Sequence, residues 1–200
     1  MKSLIYNKLI TPLTNLCYFE VLSRLPTNSK LLDVGIGTGK ALCNNAAIVF
    51  DKNLKIVGVD INASYLQTCK ELINENSLNH FITVYQKPFE SIDENNFDGI
   101  YFSSSFMLLP DQRQALEQAR KLLSANGKIY FTQTLYDQKN YLIEYIKPRL
   151  KYLTSIEFGP ITYQKDFFSL LEEANYKLVE NKAIKKFPGC SEQLVIAAKK

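Results

Sequence analysis

Lys30-Leu31-Leu32-Asp33-Val34-Gly35-Ile36-Gly37-Thr38-Gly39 is the stretch on which the fold turns. Residues 30–34 form a short apolar run, and a glycine-rich turn follows at once, so the natural reading is a buried strand entering a tight loop. Glycine permits the turn and lets a ligand approach the backbone closely. Residues 40–50 read as a helix, whose first N–H groups suit a carboxylate or phosphate. Residues 54–59 give a second apolar run that stops at Asp60, 21 residues after Gly39. An acidic side chain there can hydrogen-bond both ribose hydroxyls of an adenosine.

Outward from this core the pattern repeats. Residues 62–76 have helical spacing, with Asn62 or Ser64 available as the cap. Residues 81–85 and 97–103 are the third and fourth strands. Residues 111–123 form a strongly amphipathic helix, which Asn126-Gly127 ends before a fifth strand at 128–134. Alternating strands and helices predict a parallel sheet covered on both faces. The last third departs from this rhythm: helices at 139–151 and 163–174, then strands at 176–184 and 192–198 as an antiparallel pair at the sheet edge, joined by a loop at 185–191. Residues 1–28 read as one or two short helices ending at Leu25-Pro26. No linker divides the chain, so residues 1–200 are expected to form a single domain, with 1–28 as an N-terminal helical cap and 135–162 as a substrate-cap insertion.

Composition narrows the function. The 200 residues are 46% hydrophobic and 22% charged, with a formal net charge of +4, which suits a soluble globular chain. A dedicated duplex-binding domain has a denser basic stripe, so stable nucleic-acid binding is not expected. Basic residues recur at Lys139, Lys147, Arg149 and Lys151 and at Lys182, Lys185 and Lys186. Solvated faces account for them; the sharper reading is attraction to an acidic or phosphorylated substrate or a membrane surface. Cys17, Cys43, Cys69 and Cys190 have no CxxC spacing and His80 is the only histidine, which argues against a zinc site and for reduced, buried thiols in the cytoplasm. No run reaches the ~18–20 apolar residues of a membrane span, and residues 1–13 lack the pattern of a signal peptide.

The glycine spacing is G-x-G-x-G, with Asp33 two residues before it, not the G-x-G-x-x-G of dinucleotide folds. This pattern resembles the class I S-adenosylmethionine (SAM)-dependent methyltransferases. Gly58-Val59-Asp60-Ile61-Asn62 is similar to that family's second-strand motif, Ala125-Asn126-Gly127-Lys128-Ile129 to its turn into strand five, and Gln193-Leu194-Val195-Ile196-Ala197-Ala198 to its last strand. The resemblance covers about residues 30–200. It implies a Rossmann-like, doubly wound, mostly parallel seven-stranded sheet with helices on both faces and an antiparallel last strand. It also implies SAM as cofactor. Gly35, Gly37 and Gly39 would line its methionine part, with Asp33 anchoring that region directly or through water. Asp60 would hold the ribose, Ile61 and Tyr65 would border adenine or ribose, and Ser103 would face the methionine moiety. Many members place an Asp after strand three to read adenine; Pro88 stands there in Gln86-Lys87-Pro88-Phe89-Glu90, which leaves the Phe89 N–H to meet an adenine nitrogen, with Glu90 or Gln86 as substitutes for the acid.

The bland readings are helix core for Tyr65 and a plain strand exit for Ser103 to Ser105. His80 reads as structural, Asp111 as a helix cap, and Tyr136 and Asp137 as loop punctuation or substrate contacts. Tyr6 and Tyr18 read as structure first, and as closing groups second. No catalytic base announces itself, and none is strictly required when the methyl is already activated. Ser103-Ser104-Ser105-Phe106 lacks the Asn/Asp-Pro-Pro-aromatic turn of adenine and glutamine methylation. No cysteine sits in a cytosine-methylating turn, no Asp/Asn cluster marks a metal-dependent catechol enzyme, and the strand-four turn is less acidic than in aminopropyl transferases. Tyr136, Tyr141, Tyr145, Tyr152 and Phe158, mixed with basic residues, suggest a small, partly apolar acceptor, with a negative group as the further option. The competing functions are an NAD-dependent oxidoreductase, disfavoured by the glycine spacing and the lack of Tyr-x-x-x-Lys; a catalytically silent SAM-binding regulator or scaffold; and a methyltransferase acting on protein or RNA.

Overall fold

The computed structural model describes residues 11–138 and 159–200. The expected helix at 139–151, most of the 135–162 segment, Tyr6 and the first ten residues of the N-terminal cap lie outside the described residues.

In chain order the elements are α1 (Thr11–Arg24), β1 (Lys30–Val34), α2 (Lys40–Cys43), α3 (Ala46–Asp51), β2 (Lys55–Asp60), α4 (Ala63–Glu75), β3 (Ile82–Gln86), β4 (Phe97–Ser103), α5 (Gln112–Leu122), β5 (Leu123–Tyr136), β6 (Thr162–Tyr163), α6 (Gln164–Glu173), β7 (Tyr176–Phe187) and β8 (Cys190–Lys199). The strands form one sheet ordered β3-β2-β1-β4-β5-β8-β7. β3, β2, β1, β4 and β5 run parallel, whereas β8 is antiparallel to both β5 and β7. The two-residue β6 pairs with Leu135 and Tyr136, bringing the count to eight strands.

The sheet is buried on both faces because its strands carry apolar residues on both. Leu31 enters one core with Val21, Leu42, Leu66 and Tyr101. Its neighbour Leu32 enters the other with Phe102, Leu116, Phe131 and Phe167. Successive side chains alternate across a strand, so each residue is committed to one core. In α4, Leu66, Cys69 and Ile73 are buried at helical spacing, and the Asn62 side chain accepts from the Ser64 and Tyr65 N–H groups. Asp111 caps α5 through the Gln114 N–H.

Three expectations need correction. The helix at 40–50 is two short helices, interrupted at Asn44-Asn45. Asn126-Gly127 does not terminate α5. That helix ends at Leu122, Leu123 is already extended, and Gly127 lies inside β5, where a Cβ would stand 2.6 Å from the Phe97 carbonyl oxygen. Glycine is there for a close backbone approach, not for a turn. The final strands are also longer than read. Only Pro188-Gly189 separates β7 from β8; the pair itself is antiparallel and stands at the sheet edge as expected, with β7 outermost and β8 between β5 and β7. Its run of buried residues from Ser191 to Ala197 is what an interior strand requires.

Candidate functional site

The parallel strands end along one edge of the sheet, and the glycine loop lies there. The Gly35 and Ile36 N–H groups both donate to the Val59 carbonyl, at 2.8 and 3.2 Å, and the Gly39 N–H returns to the Ile36 carbonyl at 3.1 Å. Gly35, Gly37 and Gly39 have φ of 76°, 58° and 65°, a region costly for residues with a Cβ. Their surroundings differ. A Cβ on Gly35 would meet the Ser105 Cβ at 2.6 Å, one on Gly39 would meet Cys69 Sγ at 2.5 Å, and one on Gly37 would meet nothing within 4 Å. Gly35 and Gly39 therefore serve close packing, and Gly37 presents its bare face to open space.

Asp60, the last residue of β2, braces this loop. Its Oδ2 accepts from the Gly37 N–H at 2.9 Å, and its Oδ1 accepts from the Asn62 N–H at 2.8 Å. One carboxylate thus fixes both the glycine loop and the start of α4. Beyond it Ile61 is 73% and Tyr65 44% exposed, which removes the helix-core reading of Tyr65.

Asp33 is fully buried at the root of the loop. Its Oδ2 accepts from the Tyr18 hydroxyl at 2.8 Å, while Oδ1 has no hydrogen-bond partner among the described residues. Burial raises its carboxyl from the usual 3.8 to about 7; the Tyr18 hydrogen bond opposes this, and the Asp60 charge adds to it. The sequence reading treated Tyr18 as structural first. The signal that finds it is physical: an acid inside a buried strand needs a donor, and α1 carries one. Tyr18 also packs edge-on against Tyr101, with ring centroids 5.1 Å apart.

Ser103 ends β4, half-buried and paired with Thr132. The reading of 103–105 as a plain strand exit missed Ser105, whose hydroxyl donates to the Val34 carbonyl while its Cβ backs Gly35. After β3, Pro88 is extended and Phe89 opens a short 3-10 turn. The Phe89 ring is buried edge-on against Phe102, Glu90 is exposed, and Gln86 reaches the Ile61 carbonyl at 3.4 Å. His80 lies at the opposite edge, where its carbonyl accepts from Lys55. Tyr136 ends β5, with its hydroxyl pKa raised by burial. Burial also lifts the Cys43 and Cys69 thiols, to about 11 and about 12. A groove of about 460 Å³ lies between α5 and α6, lined by Arg113, Thr162, Tyr163 and Phe167 and by none of the glycine-loop residues. The edge of the glycine loop is the better site because the unsatisfied carboxylate oxygen is there.

A sequence model described as a methyltransferase domain matches residues 26–178. The chain belongs to the class I SAM-dependent methyltransferase family. Among characterised relatives, it is 27% identical over 115 residues to a sarcosine/dimethylglycine N-methyltransferase of Halorhodospira halochloris, an overlap of 56% of this chain and 40% of that protein. It is 26% identical over 172 residues to a malonyl-[acyl-carrier protein] O-methyltransferase of Ilyobacter polytropus, covering 78% of this chain and 61% of that one. The chain thus spans less than two thirds of the length of these relatives. Among solved structures, the [4+2]-cyclase SpnF superposes with a TM-score of 0.76 at 14% identity, over 92% of this methyltransferase-family chain and 81% of SpnF. That likeness concerns the fold alone. No helix among the described residues is long and apolar enough to cross a membrane.

Proposed function

We propose that this chain transfers a methyl group from SAM to a small-molecule acceptor by in-line displacement. The observation that carries this reading is Asp33: an ionisable side chain, fully buried beside a glycine loop, with one carboxylate oxygen lacking a hydrogen-bond partner among the described residues. Such a group calls for a cationic donor. The α-ammonium of SAM is one, and NAD has no equivalent. The remaining residues fit the same ligand. Gly37 offers backbone at an open face, the Asp60 carboxylate stands at the end of β2 to take the ribose, and the exposed Ile61 and Tyr65 offer apolar area to the adenine. Phe89 contributes its backbone N–H to the adenine ring, and Ser103 faces the methionine chain.

SAM supplies a methyl already activated on a sulfonium, so the protein's task is to bind, orient and exclude water. Asp33, Gly35, Gly37, Gly39 and Asp60 fix the donor. Residues 1–200 are taken as one domain, and the expected acceptor caps, 1–28 and 135–162, lie partly outside the described residues. A small acceptor is favoured because relatives are named for sarcosine and dimethylglycine and because the chain carries no dense basic stripe. Calorimetric titration with SAM and S-adenosylhomocysteine, with NAD as control, tests the cofactor. Micromolar binding of the first two and none of NAD is expected. Release of S-adenosylhomocysteine against a metabolite panel tests the acceptor. Methylation of bulk protein or RNA with no response to the panel would overturn the small-molecule assignment, and binding without turnover on any of them would leave a silent SAM-binding protein.

A further inference from the structure

Gln133 and Gln193 face each other across the β5–β8 pairing. Their same-side neighbours Phe131, Leu135 and Val195 belong to the core beneath α5 and α6, so both carboxamides lie on that side of the sheet. They are 1% and 5% exposed. Gln193 Nε2 donates to Gln164 Oε1 at 2.7 Å and Ser191 Oγ at 2.8 Å. Among the described residues its Oε1 has no hydrogen-bond partner, and in Gln133 neither Nε2 nor Oε1 has one. Buried polar atoms are nearly always paired, and leaving them unpaired is costly, so three on one facing pair require a reason.

Their position supplies it. Ser103 pairs with Thr132, and the Ser104 N–H donates to the Thr132 carbonyl, so Gln133 is the first residue of β5 beyond β4. Phe131, two residues earlier on the same side, packs against Phe106 at 5.0 Å and Phe167 at 5.1 Å. Phe106 follows Ser105, which backs Gly35 of the glycine loop. The two carboxamides thus stand towards the ligand edge, on the side of the sheet that carries these aromatic rings, two and three strands from β1 and its loop.

We propose that Gln133 and Gln193 form the anchoring subsite for the methyl acceptor, and that it takes an uncharged group with both a donor and an acceptor, a hydroxyl or a carboxamide, on an apolar body. This rests on the methyltransferase reading above. The unpartnered atoms are one amide nitrogen and two carbonyl oxygens. A hydroxyl accepts from Gln133 Nε2 and donates to either Oε1, and a carboxamide does the same with its C=O and NH2. Gln164 and Ser191, which hold Gln193 in place, are uncharged as well, so the described residues here offer nothing to compensate a buried ion. Phe106, Phe131 and Phe167, buried against one another, make the setting of the two carboxamides apolar. Gln133 is a specificity-determining residue in this account, and the unpaired atoms are the state that the acceptor relieves.

The test uses the full chain and four probes that share a benzene ring: phenol, benzoate, benzylamine and toluene. Each is titrated by ligand-observed NMR with and without saturating S-adenosylhomocysteine, against wild type, Gln133→Met and Gln133→Glu. Phenol should bind wild type about tenfold more tightly than toluene, as expected for two neutral hydrogen bonds, and more tightly than either ion. Gln133→Met, similar in length and without polar atoms, should lose that preference, bind S-adenosylhomocysteine unchanged and melt at a higher temperature than wild type. Gln133→Glu should turn the preference to benzylamine, and it keeps the test decisive if the Met variant does not fold. Equal binding of phenol and toluene to wild type overturns the subsite, as does a phenol preference that survives Gln133→Met. A wild-type preference for benzoate or benzylamine overturns its neutral character. Failure of wild type to bind S-adenosylhomocysteine counts against the methyltransferase reading instead, since the probe preferences measured without it stand alone.

Discussion

Asp33→Asn tests whether the loop's buried acid is held ready for a ligand at a cost to the fold. In the folded chain this carboxyl titrates near 7, against 3.8 ordinarily, chiefly through burial. A raised acid pKa means that the native state holds its proton after the unfolded state has released it. Stability therefore falls as pH rises from about 4, and the loss levels off above about 7. At pH 5 the destabilisation is about 2 kcal/mol and at pH 7 about 4 kcal/mol, so this one group removes roughly 2 kcal/mol between the two. Asparagine keeps an acceptor for the Tyr18 hydroxyl and carries no charge. Its NH2 inherits the unpartnered position of Oδ1, which returns ~1–3 kcal/mol of penalty. The expected net effect is that Asp33→Asn is more stable than wild type by about 1–3 kcal/mol at pH 7, with the advantage shrinking by roughly 2 kcal/mol at pH 5. Urea unfolding of both proteins from pH 4 to 8 reads this directly. A stability difference that does not change with pH would refute the reasoning. The same titrations with SAM should show the variant binding more weakly, and wild type binding more tightly as pH rises through 7, because the ionised carboxylate is the form an ammonium prefers.

Three further outcomes are expected. Asp60→Ala should weaken SAM by about 1–3 kcal/mol in calorimetry, since it removes the ribose partner and also releases the Gly37 and Asn62 N–H groups; unchanged affinity would mean that the end of β2 is not the ribose site. Gly37→Val should abolish measurable SAM binding through backbone strain and intrusion into the open face, yet leave a folded chain by circular dichroism, because no protein atom stands in the way; retained affinity would place the ligand elsewhere. Gly35→Ala should unfold at markedly lower temperature from its clash with the Ser105 Cβ, and Ser105→Gly in the same chain should restore part of the loss; purely additive melting shifts would show that the two do not oppose each other.

Most of the parallel half of the sheet was legible because its signals are local. The apolar run at 97–103 coincides with β4, and Asn62 and Asp111 cap the helices they precede. Cap chemistry and strand alternation act over a few residues, so one segment contains the whole cause. The misreadings share the opposite property. Gly127 is needed because Phe97 approaches from another strand, and nothing near Gly127 says so. The full length of β7 and β8 is likewise set by their pairing with each other, which extends both strands up to the two-residue turn. At the candidate site, spacing and strand position singled out Asp33 and Asp60. Tyr18 and Ser105 were not singled out, since their roles are contacts to segments 15 and 71 residues away. Gln133 and Gln193 left no trace either, because each stands among polar neighbours, Thr132 and Thr134 in one strand and Ser191 and Glu192 in the other.

The insertion of β8 between β5 and β7 also governs the order in which the molecule can be assembled. β5 is complete at Tyr136, but its second neighbour does not exist until residues 190–199 have been synthesised. Until then Ile129, Tyr130 and Phe131 lie along an unpaired, strongly apolar strand edge, the kind of surface that recruits other chains. β7 has no place to dock in the interval, because it touches the sheet only through β8. Translation therefore passes through a stage at which five parallel strands and their helices can be in place while the growing sheet stays sticky on one side. Slowing synthesis between residues 136 and 190 should increase aggregation of the nascent chain, while the mature fold, once β8 has zipped in, conceals that history.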